Sequence, residues 1–475
     1  MKLRHYCKQD RKRSGGCDGS CLYTGPVRAR LNSLHTAVLK FESLDLLAWL
    51  TSLQRSSFIR NVAIVASGSA GAQALTMLAT PVITRLYSPA EFGILGIFTA
   101  TLAFLAPIAT LTYTTAIVLP RSDNEARQLG VISISLACVT SLVTLLVLLS
   151  LRHFDIANAR DLLTLAFCLL LPAGMLLITA QQIFEQWMIR KKQFSSIAKA
   201  TSGHSLLTNA AKITAGFYHP VSLALLLAHV LGLFFHALFL AIPRNGRALL
   251  EKADDSVKTS LRACCVKYAD FPKFRAPQVA INAASQSLPV IILGIFYGPA
   301  VAGLYTLSKS IIGVPSALVG KAVGDVFYPR IAESAHNGES ISALNRKATL
   351  GLLLIGALPF GLVIAFGPTL FAIIFGSEWE TSGEYARYLA FWFYTIFATT
   401  PSAKVLPVIF EQKFDLYFSI YKLIVRTAAI IIPTVFFQNA MLTVVLLSFL
   451  SMAMNLQFYF MVQNRAKRYE QSRHS

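Results

Sequence analysis

Charged residues are scarce in this chain of 475 amino acids. Asp, Glu, Lys and Arg together make up 14% of the sequence, whereas 55% of the residues are hydrophobic. So little polar surface cannot cover a soluble globule of this length, which excludes an ordinary water-soluble enzyme or binding domain. Apolar runs of about 20 residues, the length that crosses a hydrocarbon core of about 30 Å as a helix, recur throughout. The sequence therefore predicts that the bilayer is the solvent of this protein.

Twelve such runs predict an all-α integral membrane protein with about 12 transmembrane helices. The fifth and eighth runs are the weakest, because Lys212 and Lys309 interrupt them. The first six runs cover approximately residues 61–84, 92–119, 128–150, 162–184, 200–217 and 221–242. The second six cover approximately residues 276–296, 300–320, 348–375, 385–410, 416–436 and 440–463.

Several chemical signatures are also missing. The chain has no Gly-x-x-x-x-Gly-Lys loop, so the sequence indicates no nucleotide-driven step. Its seven cysteines are scattered and imply no disulfide framework. Cys17 and Cys21 would make half a zinc site, but partner ligands with the proper spacing are missing, so no metal and no cofactor are expected. The start of the chain lacks an apolar signal-peptide core, which leaves the first span as the targeting signal.

Positive charge is abundant, and its location decides its meaning. The net charge of +20 would suit a nucleic-acid partner, but +14 of it lies in residues 1–60, in the 243–275 loop and after residue 463. The breaks near residues 298 and 438 contain no Lys or Arg. By the positive-inside rule, both termini and the basic loops are cytoplasmic, and no nucleic-acid partner is expected.

The charge pattern divides the chain into five parts. A basic cytoplasmic tail (1–60) either contains a short interfacial helix or is a disordered or wrongly assigned extension. It is followed by an N-terminal six-helix lobe (61–242) and a basic cytoplasmic linker (243–275). A C-terminal six-helix lobe (276–463) and a short basic cytoplasmic tail (464–475) complete the predicted organisation.

A heptapeptide pattern occurs twice, 210 residues apart. Tyr87–Gly93 and Tyr297–Gly303 both read Tyr-x-Pro-Ala-x-x-Gly, and each falls in a short break between two apolar runs. An even number of spans lies between the copies, so both lie on the extracytoplasmic face and the two halves run in the same direction. In transporters, parallel halves are related by an axis along the membrane normal, and their interface is the natural place for a cavity. The repeat therefore predicts two parallel six-helix lobes around a central cavity.

Several segments resemble a known family. Thr84–Gly93 followed by Ala116–Arg121 resembles the opening of a polysaccharide biosynthesis membrane protein. This is the group of lipid-linked oligosaccharide flippases in the multidrug/oligosaccharidyl-lipid/polysaccharide exporter (MOP) superfamily. The resemblance covers roughly residues 56–465. Further similar segments are Trp187–Phe194, Tyr268–Phe274, Gly303–Tyr305, Val326–Arg330 and Phe375–Trp379.

The resemblance implies a substrate and a mechanism. The expected function is to move an undecaprenyl-pyrophosphate-linked oligosaccharide, the repeat unit of an O-antigen, capsule or exopolysaccharide, across the bacterial inner membrane. Alternating access would carry the glycan to the periplasmic leaflet while the lipid tail stays in the membrane lipid. No bond is made or broken, so the protein is expected to be a transporter and not an enzyme. Whether a polysaccharide polymerase and chain-length machinery are further partners stays open.

Two cations lie deep within the predicted spans. Lys309 and Arg426 are each about ten residues from an end of their span, about 15 Å deep at 1.5 Å per residue and close to the midplane. Neither side chain reaches a head group easily, so both are candidates for substrate binding in the central cavity. The alternative is an interhelical pair or a cation bound to backbone carbonyls. Under the 210-residue offset the position equivalent to Lys309 is Thr99, which places the deepest cations in the second half.

Five further side chains are weaker candidates. Lys212 and Lys404 lie nearer the ends of their spans, where a lysine snorkels to the head groups. Arg85 ends the first span beside the repeated motif and either binds phosphate or anchors the helix at the outer interface. His229 and His236 are seven residues apart, hence on one helix face, and either relay protons or bond to a neighbouring helix.

The sign of the buried charge separates the candidate functions. A lipid pyrophosphate needs cationic and hydrogen-bonding groups, and no Asp or Glu lies near the middle of any predicted span. An ion-coupled multidrug antiporter for cationic compounds, the first alternative, would be expected to bury carboxylates. A membrane polysaccharide polymerase or ligase, the second alternative, needs a periplasmic catalytic surface, whereas every predicted periplasmic loop is short. The sequence therefore favours a flippase, with a membrane potential or an ion gradient as its energy source.

Overall fold

The computed structural model describes residues 57–154, 163–250, 261–409 and 411–474, and all regular structure in them is helical. Residues 61–475 form one compact unit. Of the other unit, Met1–Arg60, only the residues from 57 onward are described. The predicted N-terminal tail, with Cys17 and Cys21, therefore lies outside the described residues.

Twelve helices of 20 residues or more account for most of the described chain. Those of the first half are α1 (Ser57–Leu86), α2 (Pro89–Thr110), α4 (Asp123–His153), α5 (Leu165–Arg190), α6 (Phe194–Tyr218) and α7 (Ser222–Ala241). Those of the second half are α10 (Ala276–Tyr297), α11 (Pro299–Asn337), α12 (Ile341–Phe375), α13 (Glu380–Val408), α14 (Gln412–Phe437) and α15 (Ala440–His474). Short helices are α3 (Tyr113–Ala116), α8 (Arg244–Leu250) and α9 (Leu261–Lys267), with a π-helical turn at Phe271–Arg275 and a 3-10 turn at Ser377–Trp379.

Nine of the described long helices are long and apolar enough to cross a membrane. Every predicted apolar run overlaps one of the twelve long helices. The three long helices that are not among these nine are α1, α6 and α13. Lys309 interrupts a run in α11, which is among the nine helices. Lys212 interrupts a run in α6, which is not. The chain is an all-helical, multi-pass membrane protein.

Apolar side chains cover the outer faces of several helices. On α4, Val139, Leu142 and Leu146 are more than half exposed, and on α12 so are Leu354 and Leu358. Side chains of this kind are stable only against lipid, because a soluble protein rarely exposes so large an apolar face. Large aromatic side chains are fully buried in the interior of the protein, and they include Trp187, Trp379, Trp392, Tyr87 and Tyr305.

Helix ends differ from the predicted limits where local geometry intervenes. The second run was expected to reach residue 119, but α2 ends at Thr110 because Leu111 and Thr112 adopt left-handed backbone angles (φ 45° and 57°). In contrast, α11 and α15 continue well past their apolar runs, to Asn337 and His474. Hydropathy marks the part of a helix that lipid covers, and a helix does not need to end where the lipid ends.

The described part of the linker packs on the first half. Tyr113 Oη donates to the carbonyl oxygen of Cys265, and Lys267 Nζ lies 2.5 Å from Glu125 Oε1. The hydrogen bond with the Glu125 carboxylate raises the pKa of Lys267. Burial, with the same carboxylate nearby, raises the pKa of the Cys264 thiol to about 11, so this thiol stays protonated at neutral pH.

Candidate functional site: a cavity between the two halves

The two repeated motifs form equivalent helix starts. Ser88 caps α2, its hydroxyl accepting from the backbone N–H of Glu91 at 3.3 Å, and Pro89 occupies the first turn. Proline suits this position because its missing N–H has no helical partner there. At α11, Pro299 takes the same place, and Gly298 before it adopts φ +88°, which glycine tolerates best.

The motif glycines bring the two helices into backbone contact. A Cβ atom on Gly93 would overlap the carbonyl oxygen of Pro299, and a Cβ on Gly303 would overlap that of Pro89. Each added Cβ would also lie 2.9 Å from the amide nitrogen of the opposite glycine. The contact is reciprocal, because equivalent positions of the two halves touch each other. Only glycine fits at either position.

The motif tyrosines hold each helix start to its own half. Tyr87 Oη donates to the carbonyl oxygen of Lys212 on α6 at 2.9 Å. Tyr297 Oη pairs with the hydroxyls of Thr434 and Thr443, on α14 and α15, at 3.2 and 3.0 Å. The tyrosines of the pattern thus fix each helix start within its half, and the prolines and glycines make the contact between the halves.

The two helices separate beyond this crossing and open a cavity of about 600 Å³. One turn on, a Cβ at Gly96 would lie 2.5 Å from Thr306 Oγ1, and a further turn brings the equivalent pair Thr99 and Lys309 to the cavity wall. Both halves contribute to the lining. It comprises Ser69, Ala70, Gln73, Gly96, Thr99, Ala100, Ala103, Gln286, Ser287, Val290, Thr306, Lys309, Ser310, Gly313, Val314, Ala317, Leu318 and Phe393.

Lys309 is the one charged side chain among the described residues that line this central cavity. Its Nζ donates to the main-chain carbonyl oxygen of Gln286 on α10 at 2.5 Å. An ammonium group has three N–H donors, so two stay available to a ligand. The rest of the polar lining consists of hydroxyls and amides, and the described lining contains no carboxylate.

Arg426, the other predicted deep cation, does not line the central cavity. Its side chain is only 6% exposed, and Nη1 donates to Ser285 Oγ at 2.8 Å while Nε donates to Ser451 Oγ at 3.3 Å. The guanidinium lies 4.6 Å from the centre of the Trp392 ring. Arg426 lines a second cavity of about 250 Å³ within the second half. The structure thus places the two deep cations in neighbouring cavities.

Arg85 lies at the motif end of the molecule and contacts the other half. Its Nη2 donates to the carbonyl oxygen of Ile373 on α12 at 3.0 Å. Beside it, Trp379 Nε1 donates to the carbonyl oxygen of Thr84 at 2.8 Å, and the Trp379 ring meets Phe92 edge to face. These contacts close the motif end between the halves, and sequence reasoning missed Trp379 because a bond to a main-chain oxygen leaves no sequence signal.

The histidine candidates lie inside the first half. His236 is buried and stacks on His204 of α6, with ring centres 4.8 Å apart, and His229 meets Phe98 edge to face. His204 Nδ1 lies 2.8 Å from the carbonyl oxygen of Gly232, so this nitrogen carries a proton. His204 lies near both His229 and His236, on a helix that the sequence pattern did not connect with them.

The last two candidate lysines are half-buried. Lys212 lies on α6, where its backbone carbonyl accepts from Tyr87, and Lys404 lies near the C-terminal end of α13. Neither belongs to the lining of the central cavity.

A family model described as polysaccharide biosynthesis protein matches residues 82–384. The chain belongs to this polysaccharide biosynthesis family. The matched region includes both copies of the motif and both Thr99 and Lys309.

Two curated relatives carry related descriptions. The succinoglycan biosynthesis transport protein of Rhizobium meliloti (strain 1021) is 24% identical over 326 residues, which are 67% of this chain and 63% of the relative. The amylovoran biosynthesis protein of Erwinia amylovora is 22% identical over 207 residues, 42% of this chain and 50% of the relative. The chain thus spans between half and two thirds of the length of these relatives.

Solved structures of MOP superfamily transporters have the same fold as this protein. The inward-facing structure of a multidrug resistance MATE family transporter superposes with a TM-score of 0.66 at 14% identity, covering 84% of this chain and 96% of that one. A MOP superfamily transporter from Pyrococcus furiosus superposes with a TM-score of 0.55 at 14% identity, covering 88% and 98%. The protein therefore has the fold of these transporters and belongs to the polysaccharide biosynthesis family.

Proposed function

We propose that this protein is a flippase that moves a lipid-linked oligosaccharide across the bacterial inner membrane. The observation that carries the proposal is the central cavity, where Lys309 is the only charge among described lining residues and hydroxyls and amides form the other polar positions. An ammonium with two free donors suits a phosphate oxygen, and hydroxyls and amides suit a glycan. The names of the relatives, from succinoglycan and amylovoran biosynthesis, support a polysaccharide repeat unit as cargo.

The proposed architecture places all twelve long helices across the membrane as two parallel six-helix lobes. Both termini, the 243–275 linker and the basic loops are cytoplasmic, and the motif end is periplasmic. With the motif end closed, the cavity would receive substrate from the cytoplasmic side, and rocking of the lobes would open it to the periplasm. The lipid tail stays in the bilayer between the lobes, and the pyrophosphate lies against Lys309.

Removing the positive charge of Lys309, or moving it to the equivalent position 99, tests the role of this residue. In a strain lacking the gene, Lys309→Ala should reduce surface polysaccharide and leave its lipid-linked repeat unit on the cytoplasmic leaflet. We expect transport to fall about 10- to 100-fold, because a hydrogen bond to a charged group contributes about 1.5–3 kcal/mol. Lys309→Arg should retain part of the activity. The double variant T99K/K309T, which moves the charge to the equivalent position, should restore more transport than Lys309→Thr alone.

The exposed lysine Lys413 at the start of α14 supplies the matched control, and Lys413→Ala should transport normally. Full transport by Lys309→Ala would overturn the assigned role of the cavity. In proteoliposomes, ion flux that responds to a cationic drug and not to lipid-linked glycan would instead favour the multidrug antiporter.

A further inference from the structure

A second cavity, of about 250 Å³, lies wholly within the second half. Four helices enclose it: α10, α13, α14 and α15. It is separate from the central cavity, although Gln286 of α10 lines both. The lining comprises Asn282, Ser285, Gln286, Ile396, Thr399, Thr400, Ala403, Asp415, Ser419, Lys422, Arg426, Asn455 and Phe458.

One face of α14 supplies the charges of this cavity. Asp415, Ser419, Lys422 and Arg426 follow one another at spacings of four, three and four residues, which places them in one row along the helix. Asp415 lies in the first turn of α14, and Arg426 lies 11 residues further, about 16 Å deeper at 1.5 Å per residue. Polar amides and hydroxyls from the other three helices face this row.

The two cations have no carboxylate partner within the described residues. Arg426 bonds only to the hydroxyls of Ser285 and Ser451, which leaves three of its five N–H donors unused. The ammonium of Lys422 makes no hydrogen bond with the described part of the chain and lies over the rings of Phe418 and Phe458, 5.4 and 5.3 Å from their centres. Asp415, the one acid in the lining, is near enough for its charge to act on Lys422 but forms no ion pair with either cation.

Lys422 is half-buried and Arg426 is buried, and these two like charges, one helical turn apart, repel each other unless an anion joins them. One carboxylate against two cations leaves the cavity with an excess positive charge. A planar guanidinium and an ammonium together match the oxygens of a carboxylate or a phosphate group. A volume of about 250 Å³ admits a small anion but not a whole lipid-linked glycan.

We propose that this second-half cavity binds a small oxyanion, a phosphate or carboxylate group, between Lys422 and Arg426. The anion enters past Asp415, at the start of α14, and its negative charge offsets the excess positive charge of the cavity. Binding of a free ion at this site does not depend on which substrate the central cavity carries, whereas binding of a group on the transported molecule rests on the proposed function. The oxyanion comes either from free ions in solution or from an acidic group on the transported molecule.

Binding of inorganic phosphate to the purified full-length protein in detergent tests the proposal. Calorimetry should show saturable binding to the unaltered protein. Lys422→Gln should weaken it by about tenfold or more, and Asp415→Asn should strengthen it several-fold, because removing the acid lowers the repulsion felt by the anion. The opposite signs of these two effects distinguish a charge-selective site from a loss of fold. Arg426→Lys, which keeps the charge but loses the planar fork, should weaken binding as well.

Two variants locate the anion. Lys413→Gln, on the exposed side of α14, should leave phosphate binding unchanged. Lys309→Gln alters the central cavity, and phosphate binding that depends on Lys422 should persist in it. Competition identifies the source: displacement by glucuronate indicates an acidic sugar, and displacement by undecaprenyl pyrophosphate in nanodiscs indicates the lipid head group. The proposal is overturned if phosphate and glucuronate both fail to bind, if Lys422→Gln binds normally, or if Lys309→Gln alone abolishes binding. Absence of phosphate binding would overturn this site without affecting the proposed transport, which the polysaccharide assay of Lys309→Ala tests separately.

Discussion

Single glycines decide how closely the halves meet. Gly93 and Gly303 have no room for a Cβ, because backbone atoms of the opposite helix occupy that space. Backbone atoms cannot rotate away as a flexible side chain can, so a methyl group there must push the helices apart.

Gly93→Ala and Gly303→Ala are therefore expected to lower stability by about 1–3 kcal/mol or more, the usual cost of overpacking. The melting temperature of the purified protein in detergent measures this effect. Gly361→Ala is the matched control, because nothing lies within 4 Å of the Cβ that it adds. Equal melting temperatures for the Gly93 and Gly361 variants would contradict the close contact seen between the motifs.

At the scale of elements, the end of α1 and the turn before α13 close the motif end. Trp379 Nε1 donates to the carbonyl oxygen of Thr84, and this bond joins the two halves. Trp379→Phe removes it but retains an aromatic ring against Phe92. We expect the closed state to lose about 0.5–1.5 kcal/mol of stability relative to the open state. The ratio of open to closed molecules should then rise about 2- to 12-fold.

The labelling rate of a cysteine placed at Thr99 measures this shift. In a cysteine-free background, a water-soluble maleimide added from the periplasmic side should react faster when Trp379→Phe is present. Trp392→Phe serves as the control, because Trp392 lies within the second half and its indole nitrogen has no hydrogen-bond partner among the described residues. Equal labelling rates in the protein with the cysteine alone, with added Trp379→Phe and with added Trp392→Phe would show that Trp379 does not hold the motif end closed.

At the scale of the whole molecule, the proposed topology assigns every loop to one side of the membrane. A cysteine at Ser88 or Ser377, both at the motif end, should react with an impermeant maleimide in cells whose outer membrane is permeable. A cysteine at Ser340, between α11 and α12, should react only in inverted inner-membrane vesicles. The other native cysteines that could react are replaced first: Cys7, Cys17, Cys21, Cys138 and Cys265. Cys264 is buried, and burial raises its pKa, so it contributes little background. Reversed labelling would invert the proposed orientation.

The sequence predicted the positions of the helices better than the relations between them. Hydropathy found the helix that carries each apolar run, and the 210-residue offset identified Thr99 as the counterpart of Lys309 before their common cavity was visible. In contrast, both Lys309 and Arg426 were expected at one central cavity, whereas Arg426 lines the second cavity and not the central one. Depth along a helix follows from residue number, but the direction of a side chain depends on the rotation of the helix against its neighbours, which periodicity alone does not determine.

The crossing at Gly93 and Gly303 has a consequence for the charge of the cavity. Equivalent residues that touch each other make an isologous contact, the kind that two copies of one chain make in a homodimer. In such a homodimer every substitution appears twice, so the cavity would hold no lysine or two. Because both halves belong to one chain, Thr99 and Lys309 can differ, and the described lining of the central cavity carries a single charge.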